Sequence, residues 1–146
     1  MRRHEALAEL SRDHHQALAA ALVLKRAGEQ DAAEAARRFL EFWREHGSLH
    51  FRIEEELLLP GYAEHADPGE EAVVRVLVDH VVIRRQAARL ERGDAPVADL
   101  VALGERLEAH VRHEERVLFP RIEEALPEDE LIALGQRIAA AEAGTA

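Results

Sequence analysis

Two stretches of this chain repeat each other sixty residues apart. Residues 50–60 and 110–120 both read His-x-x-x-Glu-Glu-x-x-Leu-(Leu/Phe)-Pro, with His50 and Glu54 in the first copy and His110 and Glu114 in the second. In a helix, residues i and i+4 lie one turn apart on the same face, so each copy aims an imidazole and a carboxylate at one point. The proline six residues beyond each glutamate is expected to stop the helix soon afterwards. The repeat extends further: Asp13 and His14 precede the first copy as Asp79 and His80 precede the second. The chain thus reads as two helical hairpins, each giving one histidine from its first helix and His-x-x-x-Glu from its second. Such halves pack about a pseudo-twofold axis, with two similar half-sites face to face. Paired motifs of this kind point to a metal held between helices.

The apolar spacing supports the same architecture. A first helix begins near Leu7 and Leu10, with Ser11 as an N-cap or a kink, and ends at Gly28. Asp31 and Glu34 read as a capping box opening a long second helix through Phe39, Trp43, His46, His50, Glu54 and Leu57. Pro60 and Gly61 are expected to break it, leaving 62–67 as a loop. Asp67 and Pro68 then read as the N-cap and first turn of a third helix carrying Val73, Val76, His80, Ile83, Ala87 and Leu90. Pro96 starts a fourth, with Leu100, Leu103, Leu107, His110, Glu114 and Val117 on one stripe. Gly104 falls off that stripe and costs roughly 1 kcal/mol against alanine in an exposed helix. A short fifth helix after Pro127 carries Leu131, Leu134 and Ile138; it either docks on the bundle or offers a homodimer face. The expected fold is all-α: a single domain, 1–146, forming an antiparallel up-down-up-down four-helix bundle with a short C-terminal fifth helix.

Composition matters here for what it excludes. A net charge of −10 argues against nucleic acid or an anionic membrane as partner. No cysteine is present, which removes disulfides and thiolate ligands. No apolar run approaches a membrane span or a secretion signal, so a soluble, cytoplasmic protein is expected.

On a helical wheel His14, His50, His80 and His110 are each centred in an apolar arc, and Glu54 and Glu114 lie beside two of them. A lone core histidine is usually a hydrogen-bonded structural group. Buried carboxylates are different, because they need a counter-charge or a metal. Arg84 and Arg106 are near enough to supply salt bridges in a metal-free polar core. Six centred donors in twofold arrangement are better explained as metal ligands: His14, His50, Glu54, His80, His110 and Glu114. Imidazole and carboxylate without thiolate suit iron, manganese or zinc. Two facing carboxylates can bridge two metals and leave room for oxo, hydroxo, water or a small diatomic or peroxide ligand.

His14 is preferred over His15, which sits at the edge of the arc, although a shifted helix phase would favour His15. His46 reads as inward-facing, a partner of a ligand or a core histidine. His113 reads as solvated or as a supporting group. Glu55, Glu56 and Glu115 point away, as surface charge or as hydrogen-bond acceptors for ligand imidazoles. His4 and His65 read as surface residues.

These residues make the chain resemble the hemerythrin-like, HHE-type cation-binding domains over 11–120. The resemblance rests on His14, His50-x-x-x-Glu54, His80 and His110-x-x-x-Glu114 with their Glu-Glu-x-x-Leu-(Leu/Phe)-Pro endings. It implies a four-helix bundle around two iron ions bridged by Glu54 and Glu114. It also implies O2 binding or sensing, iron homeostasis, or defence and repair under oxidative and nitrosative stress. Oxygen carriers in the family have a second histidine where this chain has Arg84, and His-x-x-x-x-Asp where it has His110-x-x-x-Glu114. The set of four histidines and two glutamates is closer to iron-sulfur repair proteins and to the iron-sensing domain of a eukaryotic ubiquitin-ligase subunit. The alternative is a non-catalytic sensor or binding module, stabilised by iron, zinc or manganese and acting through a partner protein.

Overall fold

The computed structural model describes residues 2–93 and 95–144, and these are helical almost throughout, with no strand among them. A 3-10 turn, Glu5–Leu7, leads into α1 (Ala8–Lys25). The segments Ala32–Phe42, Trp43–Gly47, Ser48–Ile53, Glu54–Leu58 and Leu59–Ala63 follow one another without a break as α2 (32–63). The third helix, α3, is Glu71–Glu91. Val97–His113, Glu114–Leu118 and Phe119–Ala125 together form α4 (97–125), and Glu128–Glu142 is α5.

The prolines of the repeat do not stop their helices. Leu59 N–H bonds to the carbonyl of Glu54, and Phe119 N–H to that of Glu114, each five residues back. These are π turns, one residue wider than an α turn. The widened ladder opens where Pro60 and Pro120 bring no N–H, so each helix runs through its proline. The extra residue also turns the apolar stripe. Leu58 and Leu118 are fully buried, whereas Leu57 is half-buried and Val117 is exposed, contrary to simple 3.6-residue periodicity.

Helix starts differ from expectation as well. Asp31 makes no capping bond to its helix; its carboxylate accepts from Gly28 N–H instead. Asp67 likewise accepts from Gly69 N–H inside a turn, and α3 begins only after Glu70. Ser11 lies within α1, which starts at Ala8.

Two apolar clusters fill the bundle. One holds Leu7, Leu10, Ile53, Leu58, Val73, Val76, Leu118, Phe119 and Ile122, and α5 covers it with Leu131, Leu134 and Ile138. The fifth helix is therefore docked on the bundle, and at 15 residues it is longer than expected. The other cluster holds Ala17, Ala21, Leu24, Phe39, Phe51, Ile83, Ala87, Leu100, Leu103, Leu107 and Val111. Each fully buried leucine or phenylalanine contributes roughly 1.5–3 kcal/mol. Gly104 is not exposed: a Cβ there would lie 2.7 Å from the carbonyl oxygen of Ala21 and 2.9 Å from Lys25 N. The backbones of α1 and α4 approach closely there, and glycine is what lets them do so. Between the two clusters lies a layer of buried polar residues.

Candidate metal centre

The polar layer consists of His14, His50, Glu54, His80, His110 and Glu114, all buried. α1 supplies His14, α2 supplies His50 and Glu54, α3 supplies His80, and α4 supplies His110 and Glu114. Each histidine lies in regular helix and its glutamate is the first residue of the π turn that follows, so the widening falls after the pair and its i, i+4 spacing is preserved. His15 lies on the exposed face of α1.

Every one of the four imidazoles is held the same way. His14 Nδ1 donates to Glu115 at 2.6 Å, His50 Nδ1 to Asp13 at 2.9 Å, His80 Nδ1 to Glu55 at 2.6 Å and His110 Nδ1 to Asp79 at 3.0 Å. Each Nε2 then faces the two central carboxylates. His14 Nε2 is 2.9 Å from Glu114, His50 Nε2 2.9 Å from Glu54, His80 Nε2 3.0 Å from Glu54 and His110 Nε2 3.6 Å from Glu114. A carboxylate behind Nδ1 fixes the tautomer and strengthens the other nitrogen as a donor to metal.

The acceptors are braced in turn. Arg84 donates to both oxygens of Glu55 at 3.0 Å, and Arg106 to Asp79 at 3.0 Å. Ser11 and Arg3 bind Glu115 at 2.7 and 3.2 Å. Arg84 and Arg106 are thus salt-bridge partners, but of the outer carboxylates and not of Glu54 or Glu114. The sequence alone does not mark Asp13 and Asp79 as acceptors; their matched place before His14 and His80 is the available signal.

Charge in this layer is strongly coupled. Burial alone would lower the pKa of His14, but the hydrogen bonds of Glu114 and Glu115 outweigh it and raise it to about 9. His50 and His80 are raised in the same way against their burial. Burial would raise Glu114, yet the surrounding histidines hold it well below the usual carboxylate range. Glu115 is opposed by burial too, and His14 and Ser11 bring it down to about 2.

Whether a cation fits can be tested on the donor atoms. Two groups of four, His14–His50–Glu54–Glu114 and Glu54–His80–His110–Glu114, each offer ligand atoms within 4.8 Å of one another. Glu54 Oε1, His80 Nε2, His110 Nε2 and Glu114 Oε2 are buried without a hydrogen-bond partner. His80 Nε2 and Glu54 Oε1 are close but not aligned for a hydrogen bond. Unsatisfied donors and acceptors converging on one point are what a metal site looks like without its metal. A model of the hemerythrin HHE cation-binding domain matches residues 4–122. The chain belongs to the hemerythrin HHE family. No curated protein and no solved structure matches it.

The remaining histidines of this HHE domain are placed differently from expectation. A third π turn, Trp43–Gly47, rotates α2 so that Gly47 faces inward, while the His46 side chain is 41% exposed and binds no ligand imidazole. His113 is buried, and its Nε2 donates to the carbonyl of Ala72 on α3 at 2.9 Å. His4 and His65 reach Glu128 and Glu130, tying α5 to the bundle. Glu56 points to solvent beside Arg52, as expected. A small cavity of about 10 Å³ reaches His14, His50, His110 and Glu114 but not His80, and is walled by Phe42, Gly47, Phe51 and Val111. Among the described residues no helix is long and apolar enough to cross a membrane.

Proposed function

We propose that this cytoplasmic HHE domain binds two iron ions and uses them to bind or react with O2, peroxide or NO, in iron homeostasis or stress defence. The observation that carries this reading is the sharing of Glu54 and Glu114 by both four-donor groups. Shared carboxylates are the expected bridges between two metals, with His14 and His50 completing one position and His80 and His110 the other. The donor set accepts zinc or manganese as well, and iron is the choice that adds redox chemistry. When bound, the metal pair supplies open coordination positions and electrons for a small ligand.

The chain's own residues do the rest. Asp13, Asp79, Glu55 and Glu115 keep each Nε2 turned inward. Phe51, Leu107 and Val111 exclude bulk water. The cavity is close to the minimum size for one water, which limits any ligand entering there to a few atoms. Arg84, engaged with Glu55, brings no second imidazole from α3. A long-lived oxygenated form is accordingly not expected. An antiparallel up-down-up-down arrangement is part of the proposal. It is supported by the apolar clusters, since residues before His14 and His80 share one cluster with residues after His50 and His110.

Metal analysis and an optical spectrum of protein from iron-replete cells, with and without dithionite and O2, test the reading. Two irons per chain with an O2-sensitive spectrum support it. A single metal per chain, or redox-silent zinc that iron cannot replace, would sink it.

A further inference from the structure

Seven large apolar side chains are exposed among the described residues, and four of them, Val74, Leu77, Val78 and Val81, share one face of α3. Their spacing of three, one and three residues confines them to an arc of about 100°. Their exposures run from 41% to 68%, highest at Val81. Beside this ridge lies a surface groove between α3 and α4, lined by Val74, Val78, Ala102 and Ala109 and by five charged side chains, Glu71 among them. An apolar ridge flanked by charges of both signs is complementary to a second copy of itself across a twofold axis, the ridge meeting the ridge and each charge meeting its opposite.

The charges at the two ends choose the partner and the direction. Glu71 lies seven residues before Val78 and Arg85 seven after it, so both project from the same face. Both are exposed, and neither has an ion-pair partner among the described residues. We propose that two copies of this chain pair through α3, antiparallel, about a twofold axis passing beside Leu77 and Val78. That arrangement sets Val74 against Val81 of the second copy and brings Glu71 to Arg85 of the second copy at both ends. A parallel pairing would instead set Glu71 on Glu71 and Arg85 on Arg85, which is repulsive.

Sedimentation analysis of the full chain, from about 1 μM to about 1 mM to span weak association, tests the pairing. The wild type should approach twice the monomer mass of 16.4 kDa. Val81→Glu should remain monomeric with unchanged helicity and metal content, because that side chain makes no core contact. Glu71→Arg should weaken the dimer about tenfold or more, and Glu71→Arg with Arg85→Glu should restore it. A wild type that stays monomeric throughout overturns the proposal. So does a dimer that survives Val81→Glu, or a double exchange that fails to rescue Glu71→Arg.

Discussion

On the His80 side of the centre the ring of Phe51 lies flat against the imidazole, 3.7 Å between centroids and 7° from parallel. On the His14 side the residue at the same place in the repeat is Val111, and the cavity opens beside it. The outer bracing differs too. Asp79, behind His110, is held by the guanidinium of Arg106. Its counterpart Asp13, behind His50, meets the carboxyl of Glu142 from α5, whose pKa burial and Asp13 together push to about 8. One repeat therefore supplies matched donors to both halves but different walls. On the proposed reading the matched donors would set where metals sit, and the differing walls would leave His80 covered and the other three imidazoles beside the cavity.

The comparison is tested most severely at the shared carboxylates. Glu114→Ala should abolish binding of both metals, because that residue belongs to both donor groups, whereas His80→Ala should cost only one. Metal analysis of the purified variants separates these outcomes, and loss of a single metal in Glu114→Ala would mean the halves are independent. A smaller effect is expected at α1. His14→Ala should lose one metal or at least 10–100-fold in affinity, while His15→Ala should bind two metals nearly normally. Metal content that survives His14→Ala and collapses in His15→Ala would shift the α1 register by one residue.

Acidity should act on the metal-free state and on metal uptake in opposite senses. His14, raised to about 9 without metal, stabilises the metal-free fold fully below about 6.5, and that share is lost as pH rises through about 9. Glu115, lowered to about 2, contributes fully above about 4.5, and that share is lost as pH falls through about 2. The metal-free protein should thus be most resistant to denaturant between those windows. Metal must displace the proton on His14, and those on the similarly raised His50 and His80, so its affinity should climb at least about tenfold per pH unit as pH rises toward about 9. Titrations of metal affinity that are flat over this range would show that His14 binds no metal.

The smallest effect concerns access. Val111→Phe copies the closed half onto the open one; it should slow NO or azide binding severalfold while metal content holds, at a packing cost of about 1–3 kcal/mol. Stopped-flow rates unchanged by this substitution would mean that ligands do not enter through the cavity.

The six central donors were legible in the sequence because helical spacing and a sixty-residue repeat both point at them. The bundle's helices were legible for the same reason. The π turns were not, since Pro60 and Pro120 carry the usual signature of a helix end and a 3.6-residue period hides one added residue. That residue misplaced Leu57, Val117 and His46, and it kept 62–63 out of the second helix. The carboxylates behind the imidazoles were only half-visible. Asp13, Asp79, Glu55 and Glu115 each pair with a histidine on another helix, a relation that a wheel drawn for one helix does not contain.

Trp43 is the sole tryptophan, and its place in the third π turn makes it informative. Its ring meets Phe51 edge-on at 5.1 Å, and Phe51 lies on His80. A Cβ on Gly47 would come within 2.8 Å of Trp43, so close packing fixes the indole in place. Indole emission from this protein accordingly has one source, two ring contacts from the central layer. An absorbing metal seated there would lie within range to quench it, so loading and release can be followed in unlabelled protein by light emission alone.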